Sequence, residues 1–490
     1  MVNGMLVRTT RRLIIPLLAL AFAPAAHAGG PQMLVGAAED NVLQPTLTQA
    51  KAQMDLAKLA GLDAIRVTAV WSRGVSAPNN DRITLLQNAA AAANLDGIQT
   101  FLSVYPFGSS QTPLSDQDQA DFVSWTSALA RAVPSIRNFI VGNEPNLNRF
   151  WLPQFGPNGT DVAAPAYEAL LARTYDALKA VSPRISVFGG AVSPHGVDKP
   201  NTGRDTHSPT TFIPDMGAAY RESGRTLPIM DGFAFHPYED NSSVPPTETH
   251  PAPLTEVAIA DYDKLVSLLG EAFDGTAQQG STLPILYDEF GVETQIPGDE
   301  LSAYTGTEPS TIHPVDEKTQ GEYYRQAFQL AFCQPNVIGI FLFHVVDESS
   351  RPSWQSGVFY TDGKPKASLP VVSAAAKQVY RGVVTRCPGL ALTPQPVLVF
   401  ARPSELRRPQ IPIHMTCDID CIYYARLERL PKHSVVVAIR GRAIGRFGTK
   451  ILLPRVRLAR GTYRVTITLW APVNTGRTVE RESAPFTISR

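Results

Sequence analysis

From Met33 to about residue 386 the chain alternates short, almost continuous apolar runs with stretches whose apolar residues recur every three or four positions. The runs begin at Leu34 (LVGAA), Ala64 (AIRVTAVW), Ile98 (IQTFLSVYP) and Arg137 (RNFIVGNEPN), and continue at Ile185 (ISVFGGAVSP), Asp231 (DGFAFHPYED), Pro284 (PILYDEFGVE) and Val337 (VIGIFLFHVV). Runs without polar alternation are expected of parallel strands covered on both faces. Between them, Leu47, Ala50, Met54 and Ala57 share one helical face that stops before Gly61. Similar patterns fall around 122–132, 167–181, 259–273, 323–332 and 371–380. Eight strand-then-helix units over residues 31–386 predict an α/β fold, a (β/α)8 TIM barrel with enlarged loops. The competing doubly wound sheet usually carries a glycine-rich phosphate turn after its first strand, and Gly36-Ala37-Ala38-Glu39 is no such turn.

After residue 386 the period changes to two. Tyr463, Val465, Ile467 and Leu469 alternate with Arg464, Thr466 and Thr468, and proline and glycine punctuate the remainder. Residues 387–490 therefore predict a small all-β sandwich, immunoglobulin-like in shape. At the other end, Arg8, Arg11 and Arg12 precede an apolar run over 13–23 that closes on Ala26-His27-Ala28. That order predicts a signal peptide over residues 1–28, cut after Ala28, and a secreted, extracellular protein. The run is too short to span roughly 30 Å of hydrocarbon. Thr10-Arg11-Arg12 also resembles a twin-arginine signal, which leaves the export route open.

Export changes the reading of the four cysteines. Cys417 and Cys421 are close enough for a local disulfide bond, leaving Cys333 to pair with Cys387. A zinc site needs three or four ligands, and only His414 lies near the C-x3-C pair.

The 490 residues hold 44 basic and 44 acidic side chains, a formal charge of zero. The sum hides three parts. Residues 1–30 carry three arginines and no acid; 31–386 carry 24 bases and 38 acids; 387–490 carry 17 bases and 6 acids. The acidic barrel argues against a nucleic-acid partner and suits neutral glycans or cationic substrates. The basic module is expected to dock on the barrel or to contact anionic cell-wall polymers.

In a (β/α)8 barrel the chemistry sits at the C-terminal ends of the strands. Here those ends carry Trp71, Tyr105, Asn143-Glu144-Pro145-Asn146 with Trp151 beyond, His236-Pro237-Tyr238, Asp288-Glu289, and His344, Asp347 and Glu348 before Trp354. The loops 195–211, 239–257 and 293–318 are long enough to roof a cleft. Glu144 and Glu289, on strands four and seven, face each other across the mouth. One carboxylic acid and one carboxylate on opposite sides of a bond are what glycosidic cleavage requires. Glu293 lies past Gly291 and reads as a loop charge. Asp288, as a strand neighbour of Glu289, is expected to point the other way. His344, Asp347 and Glu348 read as loop polar groups rather than a metal cluster.

The run Val141-Gly142-Asn143-Glu144-Pro145-Asn146 resembles the strand-four Asn-Glu-Pro motif of clan A retaining glycoside hydrolases. Tyr287-Asp288-Glu289-Phe290-Gly291 resembles the clan's strand-seven nucleophile motif. Arg66 after Gly61-Leu62-Asp63, and His236-x-Tyr238, resemble features of the cellulase-like family 5; family 39 is a similar candidate. The resemblance covers the barrel alone. It implies Glu144 as acid/base, Glu289 as nucleophile and Asn143 on the sugar 2-hydroxyl. Arg66 and Tyr238 would then hold the nucleophile, and His236 would orient substrate or Glu144. Trp71, Trp151 and Trp354 are candidate sugar platforms. Tyr105 stands where family 5 usually has histidine, and Phe343-His344 where it has tryptophan. The implied reaction is double displacement on a β-linked oligo- or polysaccharide, with no cofactor and no metal. A non-catalytic carbohydrate-binding barrel and a transglycosylase are the alternatives.

Overall fold

The computed structural model describes residues 29–384, 387, 392–400, 410–454, 458–473 and 475–488. The expected signal peptide over 1–28 lies outside them.

Eight parallel strands close into a barrel in sequence order. They are β1 (Leu34–Ala38), β2 (Ala64–Trp71), β3 (Gln99–Pro106), β4 (Asn138–Val141), β5 (Ser186–Val192), β6 (Gly232–Phe235), β7 (Ile285–Phe290) and β8 (Val337–Phe343). The helices are α1 (Leu47–Leu59), α2 (Asn80–Asp96), α3 (Asp116–Ala132), α4 (Ala163–Val181), α5 (Pro209–Glu222), α6 (Tyr262–Phe273), α7 (Glu317–Cys333) and α8 (Leu369–Tyr380). Several start where the chemistry of their caps dictates. Thr46, Asn79, Ser115 and Asp316 each accept a hydrogen bond from a first-turn backbone N–H. Two helices escape the periodicity reading. The alanine run 89–93 of α2 has no contrast between faces, and α5 follows the loop-like 195–211 and holds Pro214.

The barrel interior is filled rather than hollow. Phe101, Phe188 and Phe341 meet on the axis, with ring centroids of Phe101 5.0 Å from Phe341 and 5.9 Å from Phe188. This plug closes the barrel beneath its C-terminal mouth, so the cleft at that end has a floor. Outside, the helices pack on the strands through a continuous apolar layer.

The C-terminal strands form two antiparallel sheets. One holds β9 (Pro396–Phe400), β10 (Gln410–Cys417) and β13 (Thr449–Pro454). The other has β12 (Ser434–Ala443), β11 (Cys421–Leu430), β14 (Gly461–Trp470) and β15 (Val479–Glu482) in that order, with β16 (Phe486–Ile488) also on β14. Their inner faces share one core, including Ile413, Met415, Ala425, Leu427, Val465 and Ile467. The expected barrel and all-β sandwich are thus both present. Both disulfide bonds form as read, Cys333–Cys387 and Cys417–Cys421. Among the described residues no helix is long and apolar enough to cross a membrane.

The sandwich docks at the N-terminal end of the barrel strands. Asp420 pairs with Arg381 just past α8, Ile419 lies against Gly382, and Arg446 donates to the Pro31 carbonyl at 2.8 Å while its guanidinium covers Tyr380 at 3.8 Å. That is the end opposite the mouth.

Candidate active site

A cavity of about 500 Å³ opens at the C-terminal mouth. Glu144 enters it from the end of β4 and Glu289 from β7. The backbone before Glu144 is bent sharply: Gly142 has φ +104° and Glu144 itself φ +43°. A side chain at Gly142 would meet the Tyr167 ring at 2.8 Å, so glycine is required there on two counts. Tyr167 holds the bend. Its hydroxyl donates to the Val141 carbonyl (2.6 Å) and accepts from the Gly190 N–H (2.7 Å). The Glu144 N–H donates to the Ala191 carbonyl at 2.7 Å. Asn146 completes the brace: its amide donates to the carbonyls of Ser193, His195 and His207 and accepts from the Ser193 N–H. A non-glycine residue at positive φ costs energy, and this scaffold of bonds is what maintains it.

Glu289 is held from three sides. Arg66 Nη1 donates to Oε1 at 2.6 Å, the Tyr238 hydroxyl donates to Oε2 at 3.0 Å, and His236 Nδ1 lies 3.4 Å from Oε2. Arg66 Nη2 reaches Asn143 Oδ1 at 3.4 Å, so the amide oxygen is engaged and its N–H₂ is left for a ligand. Burial pushes the Glu289 carboxyl up, but the His236 and Arg66 cations together with the Arg66 and Tyr238 hydrogen bonds bring it below its ordinary value. Burial disfavours the His236 cation, yet Glu289 and Asp288 hold it protonated, with a pKa raised to about 10. The Tyr238 hydroxyl is pushed well above its ordinary value by burial beside Glu289 and Glu144. It stays a donor.

His236 Nδ1 is also 3.1 Å from Glu144 Oε1. One nitrogen therefore serves both carboxylates, and the two oxygens that share it lie at most roughly 6.5 Å apart.

Two expectations about carboxylates are corrected. Asp288 does not turn away from Glu289. It is fully buried, with Oδ2 3.2 Å from Arg66 Nη1 and Oδ1 3.4 Å from His236 Nε2. The alternation rule fails because the β7–β8 register shifts between Tyr287 and Phe290. Glu293 is no solvated loop charge either. It is buried outside the cavity lining, accepts from the Gln355 N–H, and is pushed up to about 7 chiefly by burial.

The tryptophans divide. Trp354 lines the cavity, its ring 5.2 Å from that of Tyr238 and 5.2 Å from that of Phe343. Trp71 and Trp151 do not. Trp71 is fully buried, donates to the Val75 carbonyl and packs edge-on to Phe122; Trp151 is buried edge-on to Tyr167. Both belong to the packing between strands and helices. Of the loops expected to roof the cleft, 195–211 contributes His195 and 239–257 contributes Glu239 and Asp240, while 293–318 contributes nothing to the lining. The last folds instead against the β8 loop through Tyr304, whose hydroxyl donates to Asp347 Oδ2. Asp347 is further paired with buried Lys366 at 2.8 Å, so it is absent from the cleft, whereas His344 and Glu348 line it. Tyr105 lines the cavity too.

Sequence reasoning missed Glu39, Asp40, Arg149, Phe150 and Glu239. Glu39 follows β1 directly, and Oε2 accepts the Val345 and Val346 N–H groups, joining the barrel's first and last strands. Its place after a strand end was the available signal. Arg149 and Phe150 sit in the irregular loop after β4, where no periodicity marks them.

No family model and no curated protein matches the chain. Among solved structures it is similar to a glucosidase from Croceicoccus marinus, at 11% identity over 88% of this chain and 97% of that one, TM-score 0.47. It is also similar to the exo-β-1,4-mannosidase Op5Man5 from Opitutaceae bacterium strain TAV5, at 14% identity over 74% and 61% of the two chains, TM-score 0.43. A calcium-binding mutant of β-glucuronidase 2 from Bacteroides uniformis matches 94% of this chain at 12% identity and TM-score 0.42, and the chain spans 45% of its length. At such values the reading of this site rests on its own geometry.

Proposed function

We propose that this protein is a secreted retaining glycoside hydrolase that cleaves a β-linked oligo- or polysaccharide. The observation that carries the reading is the pair Glu144 and Glu289, brought from facing strands to one imidazole nitrogen in one cavity. Retaining enzymes separate their carboxyl groups by about 5–5.5 Å and inverting ones by about 6.5–9.5 Å. The shared nitrogen favours the shorter class.

In the first step Glu289 Oε attacks the anomeric carbon and the bond to the leaving oxygen breaks, while Glu144 gives that oxygen its proton. In the second, Glu144 takes a proton from water, whose oxygen displaces Glu289 from the sugar. Arg66, His236 and Tyr238 suit the first step because they favour the ionised nucleophile. Asn143 would bind the sugar 2-hydroxyl beside the nucleophile, and Trp354 would support a ring; their presence in the cavity lining supports both roles. Export is supported by the two disulfide bonds, and the basic module suits contact with an anionic cell wall. Residues 31–386 would form the catalytic unit and 387–490 the accessory one.

The test is product release from a panel of polysaccharides and aryl β-glycosides by the wild type and by Glu289→Gln. Turnover by the wild type alone, with the anomeric configuration retained in the first product seen by NMR, is expected. Inverted product, or equal turnover by the variant, overturns the proposal.

A further inference from the structure

The outer face of the larger C-terminal sheet carries side chains that packing does not explain. In register, Ile422 of β11 lies between Arg442 of β12 and Trp470 of β14, and Tyr424 lies between Arg440 and Thr468. The intervening residues Tyr423, Ala425 and Leu469 point into the core, so this set faces solvent. Arg440 and Arg442 are exposed, and Ile422, Tyr424 and Trp470 are half-buried. The Arg440 guanidinium sits 5.1 Å from the centre of the Trp470 ring.

The two halves of this face differ in charge balance. Toward β15, Arg426 bonds Glu428 and Glu480, and Arg464 bonds Glu482, so each carboxylate is answered by a cation. Toward the β12 edge, Arg442 has no counter-ion among the described residues, and Arg440 has only the indole. A guanidinium stacked on an aromatic ring keeps its planar set of donors free for bidentate contact with a carboxylate. Around it, the half-buried indole, phenol and Ile422 side chain add apolar surface for contact with a sugar, and a second guanidinium, that of Arg426, lies 5.8 Å from the centre of the Tyr424 ring. The whole module, with 17 bases against 6 acids, attracts polyanions at longer range. Nucleic acid asks for a row of cations along a phosphate backbone; two arginines set among neutral rings fit a sugar carboxylate better.

We infer that the Arg440–Arg442–Trp470–Tyr424 face is a binding platform for an anionic polysaccharide, its arginines taking uronate carboxylates and its aromatic side chains holding the Arg440 guanidinium in place and adding apolar contact. The platform lies on the accessory module and does not depend on hydrolysis. The experiment uses the full chain carrying Glu289→Gln, so that no polymer is cut, in affinity electrophoresis against polygalacturonate, alginate, neutral xylan and hydroxyethylcellulose. Retardation by the two polyuronates at about 50 mM NaCl, weakened at about 500 mM, is expected, with none by the neutral polymers. Arg440→Gln/Arg442→Gln should raise the apparent Kd at least tenfold. Arg477→Gln/Arg481→Gln removes the same charge from other exposed positions and should change it less than twofold. Trp470→Ala should match the first pair; if it loses its thermal transition, the arginine pair decides, since both side chains are exposed. No retention by polyuronate, an equal loss from the control pair, or equally tight binding to duplex DNA or to anionic phosphatidylserine vesicles overturns the inference. Failure of the hydrolase reading would leave retention untouched.

Discussion

Replacing His236 by glutamine asks whether the floor of the cleft holds a permanent imidazolium. The ring is fully buried, with Nδ1 3.1 Å from Glu144 and 3.4 Å from Glu289, and Nε2 3.4 Å from Asp288. At an effective dielectric constant of about 20, the pairs with the Glu289 and Asp288 carboxylates are worth roughly 5 kcal/mol each, enough together with the Glu144 hydrogen bond to offset the cost of burying one cation. The folded pKa of about 10 follows from that balance, against about 6.5 in the unfolded chain. Below about pH 6.5 both states hold the proton, and the pairing contributes in full. Between there and about pH 10 the folded state keeps a proton that the unfolded state has released, so the contribution shrinks as pH rises, by up to about 1.4 kcal/mol per pH unit. Glu289 does not blur this window. Its lowered pKa contributes stability above about pH 4.5 that is lost only on acidification. Denaturant unfolding of the wild type and His236→Gln at about pH 6, 7.5 and 9 should therefore show a stability gap that is widest at the lowest pH and narrows by up to about 3 kcal/mol. Parallel pH profiles would refute the reasoning, because they would mean that His236 is neutral in the fold.

Tyr238→Phe removes the hydroxyl donor 3.0 Å from Glu289 Oε2. A hydrogen bond to a charged group is worth about 1.5–3 kcal/mol, so kcat/KM on an aryl glycoside should fall about 10- to 100-fold and unfolding stability by no more than about 3 kcal/mol; an unaltered kcat/KM would exclude Tyr238 from the site. Lys366→Met leaves Asp347 buried without its cation and strips donors from Thr294 and the Gln355 carbonyl. The single variant should lose about 3–5 kcal/mol in denaturant unfolding and the Lys366→Met/Asp347→Asn double less, whereas a single variant within about 1 kcal/mol of wild type would contradict the pairing.

The eight strands were legible because each is an apolar run between polar loops, and burial on both faces leaves little else such a run can be. The two glutamates were legible because they end strands four and seven. What escaped was non-local. Trp71 and Trp151 follow strand ends as Trp354 does, and only the loop after β8 turns its indole toward Tyr238 and the cavity. Asp288 was misplaced by a strand rule that holds for regular ladders and fails where β7 slips against β8. The helix α2 hid because alanine fits either face, and Arg149 and Phe150 because an irregular loop carries no period.

The attachment of the sandwich at the N-terminal end of the barrel strands puts the barrel between the cleft and the accessory module. A sugar bound on the proposed platform would be separated by the barrel from one lying in the mouth of the same molecule. If both proposals hold, anchorage limits where the protein acts without choosing which bond it cuts. Selectivity has to reside in the cleft, and residence in the rear module. Either can change by substitution without disturbing the other.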